Sequence, residues 1–161
     1  MLHYLTILLI DDDRNSRNQF FLALDLLKVN KACICFDNHI DAMSYAAEQQ
    51  IKPDYIFLKT IKPVSNGKQG LDDVKNAPCM EHVPVILYAT SFDPNDLVQV
   101  KHLGAADWLV KQSDLHILKN ALKSIFIPNR TLAAHRKRKR AMVHKSSNGH
   151  SNKDKQTGLP V

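Results

Sequence analysis

The chain has 161 residues, of which 44% are hydrophobic, and its net charge is +6 at pH 7. That length and apolar share predict one ordinary globular domain with a sizeable core. No apolar run approaches the ~20 residues that a bilayer-spanning helix needs, and the start of the chain lacks the pattern of a signal peptide. We therefore expect a cytoplasmic protein with no membrane span.

The charge is divided unevenly along the chain. Residues 1–127 hold 13 Lys and Arg against 15 Asp and Glu, whereas residues 128–161 hold nine against one. From Pro128 onward the apolar rhythm fades, and we expect residues 128–161 to be a basic, mostly disordered C-terminal tail in which 132–143 could form a marginal helix. Five consecutive cations stand in this tail: Arg136, Lys137, Arg138, Lys139 and Arg140.

Apolar strand patterns alternate with helical patterns along residues 1–127. The strands are expected at 5–10, 31–35, 55–58, from 83 or 85 to 88, and 108–110. The helices are expected at about 15–28, 42–50, 71–76, 94–103 and from 113 onward, with caps at Asn15-Ser16, Asp37 to His39, Asp93 and Ser113. This alternation predicts a parallel sheet with helices on both faces, joined by right-handed crossovers.

The three cysteines form no CxxC pair and leave an odd count. Cys33 and Cys35 occupy alternate positions of a short predicted strand, and free cysteines are among the most buried residue types. We interpret them as core thiols of a protein in a reducing compartment.

Charged and small polar residues follow four of the predicted strands. Asp11 and Asp12 come directly after the first strand, Lys59 after the third, and Lys111 after the fifth, while Ala89 and Thr90 end the fourth. In open parallel sheets the carboxyl ends of the strands form the ligand site. We therefore expect these six residues to meet at one edge of the sheet.

Four segments in order resemble one known family: "ILLIDDD" at 7–13, "PDYIFLKTIKPVSNG" at 53–67, "VPVILYAT" at 83–90 and "GAADWLVKQ" at 104–112. They resemble the receiver (CheY-like) domain of two-component response regulators, over about residues 3–127. The resemblance implies a three-layer (βα)5 flavodoxin-like, doubly wound α/β fold with a five-stranded parallel sheet of order 2-1-3-4-5. Residues 1–127 would form the receiver-like domain.

The resemblance also implies a role for each strand end. Asp11 and Asp12 match the acidic pair that binds the metal, and position 59 matches the phosphoacceptor aspartate. Ala89 stands where the family has Ser or Thr, followed by Thr90. Lys111 matches the family's lysine, and Trp108 stands at the switch-aromatic position.

Three departures from the family pattern alter the expected chemistry. Lys59 replaces the aspartate, so the formal charge of the pocket becomes zero and Mg²⁺ binding is expected to be weak or absent. Ala89 lacks the hydroxyl that would contact a phosphoryl group. Gln112 replaces the usual proline after the lysine, and we expect a trans peptide bond there because a non-proline cis bond costs ~2.5–4 kcal/mol.

Two interpretations of the pocket stay open. Lys59 is either a built-in cation that locks the pocket in one state or the remnant of an unused site, with its amine reaching into water. Asp11 and Asp12 serve structural salt bridges or keep a weak metal site, and Asp13 is expected to point to solvent. Trp108 is either half exposed on a partner surface or a plain core aromatic.

The leading hypothesis is an atypical receiver protein of phosphorelay signal transduction, not phosphorylatable at position 59, that acts by contact with a histidine kinase or downstream effector. The expected contact surface is the fourth helix, fifth strand and fifth helix, and a homodimer is left open. The alternative is a nucleic-acid-associated protein whose basic tail, Arg136 to Arg140, binds phosphates or another polyanion. A solubilising tail with no specific target is a further reading.

An enzymatic function is the third hypothesis. The pattern Asp11-x-Asp13 after an apolar strand is similar to the nucleophile motif of haloacid-dehalogenase-type phosphatases. Residue 15 is Asn rather than Thr, and no acidic pair follows Lys111 at the next strand end. We therefore expect no enzymatic activity and no cofactor.

Overall fold

Five β-strands alternate with five α-helices in the computed structural model, which describes residues 4–61 and 67–127. The elements are β1 (Leu5–Ile10), α1 (Arg14–Leu26), β2 (Lys31–Phe36), α2 (His39–Glu48), β3 (Tyr55–Lys59), α3 (Gly67–Asn76), β4 (Val85–Ala89), α4 (Pro94–His102), β5 (Asp107–Val110) and α5 (Leu115–Phe126). The chain divides into two units, Met1–Ile125 and Phe126–Val161. The predicted basic tail, with Arg136 to Arg140, lies outside the described residues.

All five strands are parallel, and their order is β2-β1-β3-β4-β5. This confirms the predicted flavodoxin-like architecture, in which helices cover both faces of the sheet. No helix in the described segments is long and apolar enough to cross a membrane.

The two faces of the sheet carry separate sets of buried side chains. On one face, Leu8 and Leu58 pack with Ala46 of α2, Val74 of α3 and Val100 of α4. On the other, the ring of Phe20 from α1 lies edge-on to Phe57 and Tyr88, with ring centroids 4.9 Å and 5.8 Å apart. Because neighbouring residues of a strand point to opposite faces, the continuous apolar runs of β1, β3 and β4 fill both layers.

Two predicted helix caps are wrong by one to three residues. The N-cap of α1 is Asp13, whose carboxylate accepts hydrogen bonds from the backbone N–H groups of Asn15 and Ser16, rather than Asn15-Ser16. At α5, the carboxylate of Asp114 accepts from the backbone N–H groups of residues 116 and 117, so Ser113 is not the cap. In both cases the cap is an aspartate because its oxygen reaches the N–H groups two and three residues ahead.

α2 and α3 begin three and four residues earlier than predicted, whereas the boundaries of α4 agree with the sequence. Asp93 caps α4 and Pro94 occupies the first turn, as predicted. Gly104 follows that helix with a φ of +94°, and a side chain there would also collide with the Lys75 ammonium, which donates to the Gly104 carbonyl. Glycine is therefore favoured at this position by its backbone conformation, whereas the flexible end of Lys75 can move away from an added side chain.

The expectation of buried core thiols is wrong. β2 is an edge strand of the sheet, and all six of its residues, including Cys33 and Cys35, are only partly buried. Cys79, in the loop between α3 and β4, is exposed. The strand order that the resemblance implies already places β2 at the edge, and an edge strand is covered on fewer sides than a central one.

Phe20 connects α1 to the sheet, and its side chain is fully buried. We expect Phe20→Ala to lower the free energy of unfolding by about 3–5 kcal/mol, because the change removes the ring from between Phe57 and Tyr88 and leaves a cavity. Leu22→Ala on the exposed side of the same helix should change it by less than about 0.5 kcal/mol. Urea unfolding followed by far-UV circular dichroism measures both, and equal losses would contradict this packing.

Candidate functional site

The candidate site lies at the edge of the sheet where the strands have their carboxyl ends. Asp11 follows β1, Lys59 is the last residue of β3, and Lys111 follows β5. The structure brings the side chains of these three residues and Asp12 into one charged cluster. We name these four residues, Asp11, Asp12, Lys59 and Lys111, the edge cluster.

Asp11 is the centre of the edge cluster, and its side chain is 0% exposed. Its Oδ2 atom accepts a hydrogen bond from Lys111 Nζ at 2.8 Å, and its Oδ1 atom accepts one from the backbone N–H of Asp13 at 2.9 Å. Lys59 Nζ lies 3.7 Å from Oδ1. Both oxygens of this carboxylate are therefore engaged inside the protein, as a buried charge requires.

Asp12 and Lys59 form the outer part of the edge cluster. The Lys59 ammonium donates to Asp12 Oδ1, although the side chain of Asp12 is 64% exposed and that of Lys59 is 28% exposed. The hydrogen bond and the charge of Lys59 hold the pKa of Asp12 below its ordinary value of 3.8. The same hydrogen bond, with the charge of Asp11, raises the pKa of Lys59 above 10.5 despite partial burial. The amine of Lys59 is therefore protonated at neutral pH.

The ammonium group of Lys111 lies over the aromatic ring of Tyr88. Its Nζ atom lies 4.9 Å from the centroid of the Tyr88 ring, within the range of a cation–π interaction. Burial raises the pKa of Tyr88 to about 12, so the ring beneath the ammonium stays a neutral phenol. The backbone N–H of Lys111 donates to the carbonyl of Ala89 at 2.7 Å, and the peptide bond to Gln112 is trans, as predicted.

The other predicted site residues lie beside the edge cluster rather than in it. Ala89 is buried at the end of β4, and Thr90 is exposed in the next position. Trp108 is half-buried and packs against the apolar core on the face that carries α4. Asp13 is exposed, but its carboxylate is occupied as the cap of α1 rather than pointing freely to solvent.

Arg17 is a member of the site that the sequence did not reveal. Its Nε atom donates to the backbone carbonyl of Asp11, and its terminal nitrogen contacts the carboxylate of Asp37. A shallow groove of about 220 Å³ begins at the edge cluster and runs past Asp37 to His39 and the exposed side chain of Ile61. Only the pairing of β1 with β2 brings Asp37 next to α1, so residue spacing alone gave no signal for Arg17.

Comparison with known proteins agrees with this arrangement. The model of the response regulator receiver domain matches residues 7–123. The chain belongs to the response regulator receiver domain family. Together with the five-stranded fold, this confirms the predicted family and a place for the domain in two-component signalling.

Several curated relatives are similar to this receiver domain. Sensory transduction protein LytT of Bacillus subtilis is 28% identical over 145 residues, which are 88% of this chain and 56% of that protein. A probable cyclic di-GMP phosphodiesterase of Vibrio cholerae is 27% identical over 71% of this chain but only 25% of that protein. The chain thus spans about half or less of these two proteins. Response regulator Rcp1 of Synechocystis is 23% identical, over 80% of this chain and 92% of its own length.

Solved structures support the fold. The Mn²⁺-bound form of response regulator Rcp1 has a TM-score of 0.61 and 22% identity, over 75% of this chain and 91% of that chain. The phosphorylated cyanobacterial phytochrome response regulator RcpA has a TM-score of 0.63 and 23% identity, over 76% and 91%. Both show the same architecture as this receiver domain.

The first site prediction concerns the ion pair of Lys59. We expect Lys59→Met to return the pKa of Asp12 toward 3.8, because Lys59 is the main cause of its depression. Carboxyl ¹³C NMR across a pH titration measures this shift, with Lys101→Met on α4 as a control that should leave Asp12 unchanged.

The pH dependence of the free energy of unfolding follows from the same ion pair. Because the pKa of Asp12 is lower in the folded state, its stabilising effect is present above the pKa of the unfolded carboxyl and is lost as pH falls through the folded value. In Lys59→Met, the free energy of unfolding should therefore fall less as the pH is lowered. An unchanged Asp12 titration in the variant would contradict the ion pair.

The second site prediction compares the two lysines. Lys111→Met should lower the free energy of unfolding by about 3 kcal/mol, because it removes a partner of the fully buried Asp11 carboxylate. Lys59→Met should cost less than about 1 kcal/mol, since its main partner, Asp12, is largely exposed. Urea unfolding at pH 7 measures both values, and a larger loss for Lys59→Met would contradict this order.

Proposed function

We propose that this receiver domain signals without phosphorylation at position 59 and without a bound Mg²⁺, through contacts with other proteins. The observation that carries the proposal is the Lys59 ammonium, which contacts Asp12 and lies 3.7 Å from Asp11. In the receiver family this position is that of the phosphoacceptor aspartate. Here a cation held by the acidic pair takes its place.

The residues of the edge cluster do not fit a divalent metal ion. Mg²⁺ requires near-octahedral oxygen ligands, usually with one or two carboxylates. Both oxygens of Asp11 already accept hydrogen bonds, and two ammonium groups balance the charges of the two carboxylates. Two opposite charges ~4 Å apart attract each other by about 4 kcal/mol at an effective dielectric constant near 20. A metal ion would have to break these lysine–carboxylate pairs, and the two ammonium groups would repel it.

Residue 59 also lacks a chemical group that could accept a phosphoryl group. An aspartate forms an acyl phosphate through a carboxylate oxygen, and lysine has none. The Lys59 amine is held protonated by its carboxylate neighbours, so its nitrogen has no free electron pair for attack on phosphorus. Ala89, buried at the end of β4, offers no hydroxyl to a phosphoryl group.

The surface that would carry the output is formed by α4, β5 and α5. Val98 of α4 and Ile117 of α5 are large apolar side chains with more than half of their surface exposed. Trp108 of β5 is half-buried on the α4 side of the sheet. Exposed apolar side chains of this kind suit contact with a histidine kinase or downstream effector. In the described segments, no observation favours the alternative hypothesis of nucleic-acid binding, which rested on the tail.

The decisive experiment restores the carboxylate. We expect Lys59→Asp to gain Mg²⁺ binding, because the edge cluster would then hold three carboxylates and one lysine. The fluorescence of Trp108, the only tryptophan, reports binding during titration with MgCl₂ and then beryllofluoride. The unaltered protein should show no saturable change in either titration.

Lys101→Asp is the matched control, since it makes the same charge change in the last turn of α4, at the opposite edge of the sheet. It should bind Mg²⁺ no better than the unaltered protein. Saturable, sub-millimolar Mg²⁺ binding by the unaltered protein would refute the proposal. Adding Ala89→Thr to Lys59→Asp should strengthen only the response to beryllofluoride, because the hydroxyl contacts the phosphoryl mimic rather than the metal.

A further inference from the structure

Two cysteines lie side by side on the edge strand β2. Cys33 and Cys35 are two residues apart, so their side chains point to the same face of the sheet. Lys31 shares that face and bonds Asp25 of α1 at 2.9 Å, which places the cysteines on the side covered by α1. Both cysteines are only partly buried, and β2 is the edge strand of the sheet that the described residues form.

The two sulfur atoms interact with each other. A hydrogen bond between the two thiols raises the pKa of Cys33 and lowers that of Cys35, which also feels the positive charge of Arg17. The two thiols therefore lie close together and near the Arg17 cation. Two soft sulfur ligands are in reach of one another at the surface.

A direct disulfide would lie at the long limit of the usual geometry. Residues i and i+2 of an extended strand have Cα atoms roughly 6.4–6.8 Å apart, whereas disulfides favour ~5.5–6 Å and rarely exceed ~6.8 Å. The backbone of β2 cannot easily shorten, since all six of its residues are in register with β1. A bridging atom between the sulfurs removes this conflict because the sulfurs then stay farther apart than in an S–S bond.

A zinc site fits poorly. Structural zinc takes four ligands in a tetrahedron. Within the described ranges, no group of three or more His, Cys, Asp and Glu side chains could hold a metal ion. The two thiols therefore suit an ion that is satisfied by two sulfur ligands, and soft thiolates select Cu(I) among biological metals.

We propose that Cys33 and Cys35 form a binding site for a soft, two-coordinate cation of the Cu(I) type, a role separate from the receiver function. Binding forms two Cu–S bonds, releases one proton from each thiol, and leaves the oxidation state of the metal unchanged. The resulting bis-thiolate carries one negative charge, which the Arg17 guanidinium compensates in part. Because Arg17 also donates a hydrogen bond to the backbone carbonyl of Asp11, the bound ion would lie beside the edge cluster.

The test titrates the full chain with Cu(I), in the absence of oxygen, against the chromophoric chelator bathocuproine disulfonate. We expect one Cu(I) per chain, with an affinity that rises with pH because protons are displaced. Cys33→Ser and Cys35→Ser should each weaken binding by about 100-fold or more, since each removes one arm of the chelate. Cys79→Ser is the matched control and should bind as tightly as the unaltered protein.

A second measurement does not depend on the variants folding. In the unaltered protein, Cu(I) should protect Cys33 and Cys35 from alkylation, mapped by mass spectrometry, while Cys79 stays reactive. Equal protection of all three cysteines, or unchanged affinity in either single variant, would overturn the proposal. Rapid formation of a Cys33–Cys35 disulfide by hydrogen peroxide, with circular dichroism unchanged, would overturn the geometric argument against a direct S–S bond.

Discussion

The buried carboxylate of Asp11 is the constraint on which the site depends. A charge with 0% of its side chain exposed is stable only if the protein supplies partners on all sides. Lys111, the N–H of Asp13 and the more distant Lys59 supply them. The ends of β1, β3 and β5 are therefore tied together by one ionised group, and the position of each lysine follows from it.

The same carboxylate connects the edge cluster to the helices. Asp13 donates its N–H to Asp11 and uses its own carboxylate to cap α1, so the turn between β1 and α1 is fixed at both ends. Arg17, one turn into that helix, donates hydrogen bonds to the backbone carbonyl of Asp11 and to the carboxylate of Asp37, which follows β2. Arg17 therefore links the strand end that carries Asp11 to the residue that follows β2.

The strand patterns and their order along the chain predicted the parallel sheet, the convergence of four strand ends and the neighbours of Lys59. Those features follow from short apolar runs that alternate with helical patterns and from the rule that the carboxyl ends of parallel strands form one ligand edge. The resemblance to receiver domains supplied the strand order. The caps at Asp13 and Asp114 were missed because several residues near each helix start have suitable oxygen atoms, and only backbone geometry selects one.

The sequence by itself determined the fold family and the residues that stand at the strand ends, Lys59 and Ala89 among them, because each is a matter of residue identity at a position in a pattern. Tertiary structure decided which charges touch. It alone placed Arg17 beside Asp37, set Lys111 over the Tyr88 ring, and left Cys33 and Cys35 only partly buried. The physical reason is that electrostatic strength depends on distance and burial, and both arise only when strands distant in sequence pack together.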